Sequence, residues 1–365
     1  MQTVSTSARI DPVPRSSRAG RVSPIRSGIL VLASALAIVS AEEFAGEPFL
    51  EGVSVVDNGT SSAIPSRMRS AMQFLDFPAD FGQVKTFRME LATLPVFGDL
   101  AESWNGALSW SVDSATSLSL FAKLQTTPDI ESRPLLRGSR EDRLNDPGFR
   151  PLPCEGCALF TDNLYMGALN LMRVFRADFP RMDIASRRIP MEAGLGVTAK
   201  YYLEELVGPQ DGDFFLSNLN LDAGAGLKLL WGWDPVAKTS DRDIRIQVTG
   251  LELVPTRQQS DIGGQISYER MDYRWRISAD WAEGFPSLAS VFTVGFTSRS
   301  EGGSFPAVGA EWDFRDLLYL RAGRDDNYLS AGMSLAWRWL SVHYAFRRHE
   351  LGNTWYQVSG QVVWP

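Results

Sequence analysis

Four constellations in this chain have residue types that could do chemistry. Cys154-Glu155-Gly156-Cys157 has the spacing of a redox pair. A reactive pair needs a thiol of lowered pKa, often at a helix N-terminus. These two cysteines stand instead in PLPCEGC, a run rich in proline and glycine, and no third cysteine exists to complete a zinc set. The expectation is a small disulfide-closed loop. His349-Glu350 begins like the HExxH of zinc proteases, but position 353 is Asn, so the second imidazole is missing and no metal is expected. Gly194, Gly196 and Ala199 fit the letters GxGxxA. A dinucleotide needs those glycines between a strand and a helix, whereas here they fall inside an alternating run, so no cofactor is expected. His343 has no serine motif beside it that would suggest a lipid hydrolase. The chain is not expected to be an enzyme.

The elements that carry these residues follow from composition and period. The 365 residues are 44% hydrophobic and 22% charged, which excludes wholesale disorder. No run of about 20 apolar residues is present, which excludes a helical membrane bundle. A net charge of -7 argues against nucleic acid as a partner. Residues 1–41 have the plan of an export signal: Arg9, Arg15, Arg18, Arg21 and Arg26, then the apolar stretch Gly28–Ala41, with Val39 and Ala41 before the expected cut.

From about Lys85 the period is two. Trp275, Ile277, Ala279 and Trp281 share one face, and Arg274, Arg276, Ser278 and Asp280 the other. A soluble sandwich turns the apolar face inward; a transmembrane barrel turns it outward. Segment lengths of about 9–11 residues suit a tilted strand crossing a bilayer. Trp231, Trp233, Trp337, Trp339, Trp355 and Trp364 cluster at segment ends, where rings suit the headgroup zone. The last segment sets Tyr356, Val358, Val362 and Trp364 on one face. These features predict an all-β fold, a transmembrane antiparallel β-barrel over 85–365 in the bacterial outer membrane, with lipid as its surroundings.

Fifteen strands are expected: 86–94, 105–112, 115–124, 163–173, 191–203, 215–231, 243–253, 262–270, 273–281, 290–298, 307–314, 317–323, 328–338, 340–347 and 355–364. Single-chain barrels normally have an even number, so one is surplus. Residues 174–190, which lack alternation, are the first suspect. The connections at 112–115, 314–317 and 338–340 are tight, whereas 125–162 is long. Residues 42–84 lack alternation and are expected to form a plug inside or beneath the barrel.

A charge facing lipid at mid-membrane costs about 2–4 kcal/mol. Arg274, Arg276, Asp280, Glu311, Asp313, Arg321, Arg338, His343 and Arg347 are therefore assigned to the lumen wall. Two roles are open to the arginines: an internal ion-pair lattice, or an electropositive path for carboxylate ligands.

The C-terminal residues also carry a family likeness. RDLLYLRAG (Arg315–Gly323) and SVHYAFRRHELGNTWYQVSG (Ser341–Gly360) resemble PorV/PorQ-type outer-membrane proteins, which are related to FadL-like long-chain fatty-acid transporters. The shared string is Val342, Tyr344, Ala345 and Phe346, followed by a loop of His349, Glu350, Leu351, Gly352, Asn353 and Thr354. The glycine-rich plug string and the NPAG-like string of that group are missing. The resemblance implies 14 strands and an N-terminal plug. It also implies passive transport or binding of hydrophobic or amphipathic small molecules, with docking of exported proteins as an alternative. A soluble secreted β-sandwich is the remaining expectation.

Overall fold

The computed structural model describes residues 54–68, 70–79, 87–96, 101–131, 159–178, 190–207, 214–231, 242–254, 256–262, 265–271, 273–300, 306–326, 328–349 and 354–364. Sixteen strands follow one another in these residues. They are β1 (Phe87–Val96), β2 (Ala101–Ser111), β3 (Thr116–Glu131), β4 (Leu159–Asp178), β5 (Pro190–Val207), β6 (Phe214–Trp231), β7 (Arg242–Leu251) and β8 (Thr256–Ile262). Then come β9 (Gln265–Met271), β10 (Arg274–Phe285), β11 (Ser290–Arg299), β12 (Ala307–Phe314), β13 (Leu318–Arg324), β14 (Tyr328–Trp337), β15 (Leu340–His349) and β16 (Thr354–Trp364). All but β8 and β9 form one closed antiparallel barrel of 14 strands, sealed where β1 pairs with β16 from Phe87↔Trp364 to Thr93↔Val358. Closure leaves no open sheet edge to face hydrocarbon.

The surplus strand is the one expected at 262–270. It lies in β8 and β9, which pair only with each other from Thr256↔Met271 to Ile262↔Gln265. The surplus does not lie at 174–190: β4 continues to Asp178, β5 begins at Pro190, and the two pair from Thr161↔Val207 to Asp178↔Pro190. A period of two marks any strand, so it cannot tell a barrel stave from a hairpin added to its rim.

The distribution of side chains is inside out. In β7, Asp243, Arg245, Gln247 and Thr249 are buried while Ile246 and Val248 are about half exposed. Leu91, Leu169, Leu195, Leu219, Leu335 and Val358 continue the exposed apolar surface around the barrel. A water-soluble sandwich would bury these faces against each other; here the sheet closes on itself and they look outward, which contradicts the sandwich. Rings gather on this surface: Phe87 lies 5.8 Å from Trp364, and Trp312 stacks on Phe314 at 4.6 Å.

The two ends of the barrel differ. The turns after β2, β10, β12 and β14 share one end and are short. Ala289, Arg315, Asp316 and Arg338 in them take left-handed φ values of 46–57°. In the first of these turns Asp113 Oδ1 accepts from the backbone N–H of Ala115 (2.6 Å) and Thr116 (2.7 Å). Those bonds hold the Asp113 carboxyl below its ordinary pKa. At the other end β3–β6 run 16–20 residues, nearly twice the crossing length, and β6 continues from Phe214 to Asp222 beyond its pairing with β7.

Residues 54–68 and 70–79 form an inner segment. It begins with helix α1 (Val55–Asn58), capped by Ser54, whose hydroxyl accepts from the Asp57 N–H. Most of its described residues are almost wholly buried, polar and apolar alike.

Candidate functional site

The inner segment meets the luminal faces of strands around the barrel, and the candidate site is this filled lumen. Along β7 and β10–β16 the contacts are mostly polar. Arg321 Nε pairs with Glu311 at 2.7 Å, and its other nitrogens donate to Ser334 Oγ and Ser66 Oγ. Glu311 in turn accepts from Ser66 Oγ and from the Arg67 N–H. Ser334 also meets His343 Nδ1 at 2.9 Å, and Ser341 meets its Nε2 at 3.2 Å. Arg67 reaches Asp243 (3.0 Å), Arg245 pairs with Asp280 (2.7 Å), and Arg276 pairs with Asp76 (2.7 Å). Arg347 contacts Asp325 (3.3 Å), lies over the Tyr328 ring, and donates to Asn58.

Along β1–β4 the contacts are largely apolar. Phe74, Leu75, Met72 and Ala71 pack with Ala92, Ala107, Phe121, Leu164, Met166 and Ala168. Polar side chains are buried on this side too, among them Asn105, Lys123, Gln125 and Asn170, and Glu90 is fully buried and accepts from Ser70 Oγ, the Ala71 N–H and Ser359 Oγ.

Glycines let the backbone of the inner segment touch the wall. Gly295, Gly309 and Gly323 are register neighbours on β11, β12 and β13. A Cβ on Gly323 would sit 2.3 Å from the Thr60 carbonyl carbon, and one on Gly309 would sit 2.9 Å from its oxygen. Farther round the barrel Gly196 and Gly224 pair across β5 and β6, and a Cβ on Gly196 would lie 1.8 Å from the Pro78 carbonyl oxygen. Asn170 Nδ2 donates to that same oxygen at 3.4 Å. The segment is seated at both ends of its crossing.

The residues assigned to the lumen from sequence fall as follows. Arg274, Arg276, Asp280, Glu311, Asp313, Arg321, His343 and Arg347 are buried on the inner face. Arg338 is not: β14 stops at Trp337, and Arg338 occupies the exposed turn with φ 54°. Two-residue alternation in the sequence runs one position past the end of the strand. His349 ends β15 and Thr354 opens β16; Glu350, Leu351, Gly352 and Asn353 lie outside the described residues, as do Cys154, Cys157 and the export signal expected at 1–41.

Sequence reasoning missed the partners: Ser66, Arg67, Ser70, Asp76 and Pro78 of the inner segment, and Glu90, Lys200, Asp222, Asp243, Arg245 and Glu252 of the wall. Glu90, Lys200, Asp222, Asp243 and Arg245 share the luminal parity of their strands, so alternation could have found them; Glu252 lies past the end of β7 and off its parity. The inner segment has no period to extend.

A scan against protein-family models finds no match, and no curated protein matches. Among solved structures the chain is similar to a Pseudomonas aeruginosa FadL homologue at 9% identity and TM-score 0.43, covering 86% of this chain and 98% of that one. It is also similar to the transport unit of the Escherichia coli autotransporter AIDA-I at 7% identity and TM-score 0.33, covering 77% and 89%. Pseudomonas aeruginosa OpdK with vanillate matches at 10% identity and TM-score 0.25, covering 78% and 99%. At these scores nothing beyond the barrel seen in this chain's own strands is taken from them.

Proposed function

We propose that this chain is a bacterial outer-membrane protein that binds hydrophobic or amphipathic small molecules and lets them pass without an energy source. The reading rests on the two-sided lumen. An apolar cluster on β1–β4, with Phe121, Leu164 and Met166, faces Phe74 and Leu75, in a barrel whose outer surface is itself apolar. The arginines support the ion-pair lattice over an anion path, since Arg321, Arg245, Arg276 and Arg347 each face a carboxylate. The test is uptake of labelled alkanes and fatty acids by a deletion strain, with the secreted proteins measured alongside. Reduced uptake supports the proposal. Unchanged uptake with loss of secreted proteins supports the docking role of PorV-like barrels, which the firm seating of the inner segment favours as a second reading.

A further inference from the structure

The end of the lumen opposite the short turns holds a polar cluster outside the contacts described above. Lys200 on β5 pairs with Asp222 on β6 and lies 3.5 Å from Glu252, which follows β7. Tyr202 donates to Glu252 Oε1 at 2.9 Å, and Arg274 stands 3.9 Å from the same oxygen. All five side chains are at least nine-tenths buried. Their formal charges cancel.

Glu252 is held in an uncommon conformation. Its φ of 53° lies in the left-handed region, where a non-glycine residue is rare and often serves a site. Three successive backbone N–H groups pin it: Glu252 to Asp222 Oδ1 (3.0 Å), Leu253 to the Leu221 carbonyl (2.8 Å) and Val254 to Asn220 Oδ1 (3.1 Å). Asn220 Oδ1 also accepts from the Leu221 N–H, which fixes that atom as the oxygen and Nδ2 as the donor. Asn220 is fully buried, and its Nδ2 has no partner among the described residues; neither has Glu252 Oε2. A buried donor and a buried acceptor left unmatched are costly unless something completes them.

The register places this cluster beside the apolar sector. Ala168 and Met166 on β4 stand directly across from Lys200 and Tyr202, and Asn220 and Asn218 stand on their other side. Apolar wall therefore meets polar wall along β4 and β5.

We infer that Asn220 and Glu252 form a head-group site for an uncharged amphipath with both a donor and an acceptor, a long-chain alcohol being the simplest. A hydroxyl would donate to Glu252 Oε2 and accept from Asn220 Nδ2. A carboxylate cannot donate, and it would meet two buried carboxylates whose cations are already engaged. This inference deepens the small-molecule reading above and depends on it.

The test is equilibrium binding of labelled 1-decanol, decanoate and decane at pH 8 to the full chain in lipid nanodiscs, with empty nanodiscs subtracted. The expected result is saturable decanol binding about tenfold tighter than decanoate, the size of one well-placed hydrogen bond. Asn220→Leu should weaken decanol about tenfold. Glu252→Gln should narrow the gap by admitting decanoate, and heat-modifiable migration on gels checks that both variants fold. Saturable binding that fails to favour decanol in the unaltered protein overturns the head-group assignment alone. No saturable binding of any of the three probes overturns it together with the reading on which it depends.

Discussion

The two sides of the lumen hold the same inner segment by different physics. Along β10–β13 the grip is ionic and hydrogen-bonded, with Arg321, Glu311 and Ser66 forming one connected group. Along β1–β4 the grip is packing, with Phe74 and Leu75 against Phe121, Met166 and Ala92. The contrast teaches where each failure would be felt. Removing one member of a buried ion pair strands a charge, whereas removing a buried side chain leaves a cavity that neighbours can partly fill.

The largest effect is expected from Arg321→Ala, which leaves Glu311 buried without its cation. It should cost about 3–5 kcal/mol, read as a lowered midpoint of heat-modifiable migration. Adding Glu311→Gln should recover part of that loss; no recovery would mean the two residues are not coupled. On the packed side Leu75→Ala should cost about 2–5 kcal/mol, toward the lower end if the apolar sector collapses around the gap. Were it to exceed Arg321→Ala, the division of labour between the two sides would be reversed.

Next in size come the glycine seats. Gly196→Ala and Gly323→Ala force the inner segment away from the wall at a cost of about 1–3 kcal/mol, and should raise cleavage of residues 54–79 by added protease. Gly360→Ala meets nothing within 4 Å and serves as the control without crowding. The smallest effect belongs to the short-turn end. Because Asp113 has a lowered folded-state pKa, its contribution is present above the unfolded carboxylate value and fades as pH falls through the folded one. Asp113→Ala should therefore narrow its difference from the unaltered protein in acid, followed by melting between pH 7 and pH 2.

Much of the barrel was legible in the sequence because a half-buried strand writes its orientation every second residue. Leu340–Arg347 shows this: Ser341, His343 and Arg347 lie inward, while Val342 and Tyr344 lie outward. The same signal could not say that 262–270 is a rim hairpin, since pairing partners are set by register and not by period. Nor could it end β14 before Arg338. The site was half legible. Glu311 and Arg321 were placed on one wall, but Ser66 and Arg67, 244 or more residues earlier than Glu311, became partners only when the irregular segment was laid across the lumen. The seats at Gly196 and Gly323 were hidden for another reason: a glycine in a strand reads as weakness until the atom that needs its missing Cβ is known.

The central claim is that this barrel is apolar outside and polar inside. Its most direct test is a nitroxide scan of residues 244–249 on β7 in lipid vesicles, with Cys154 and Cys157 replaced by Ser. Oxygen accessibility, which follows lipid, should peak at 244, 246 and 248 and fall at 245, 247 and 249. The opposite phase, or no alternation at all, would contradict it.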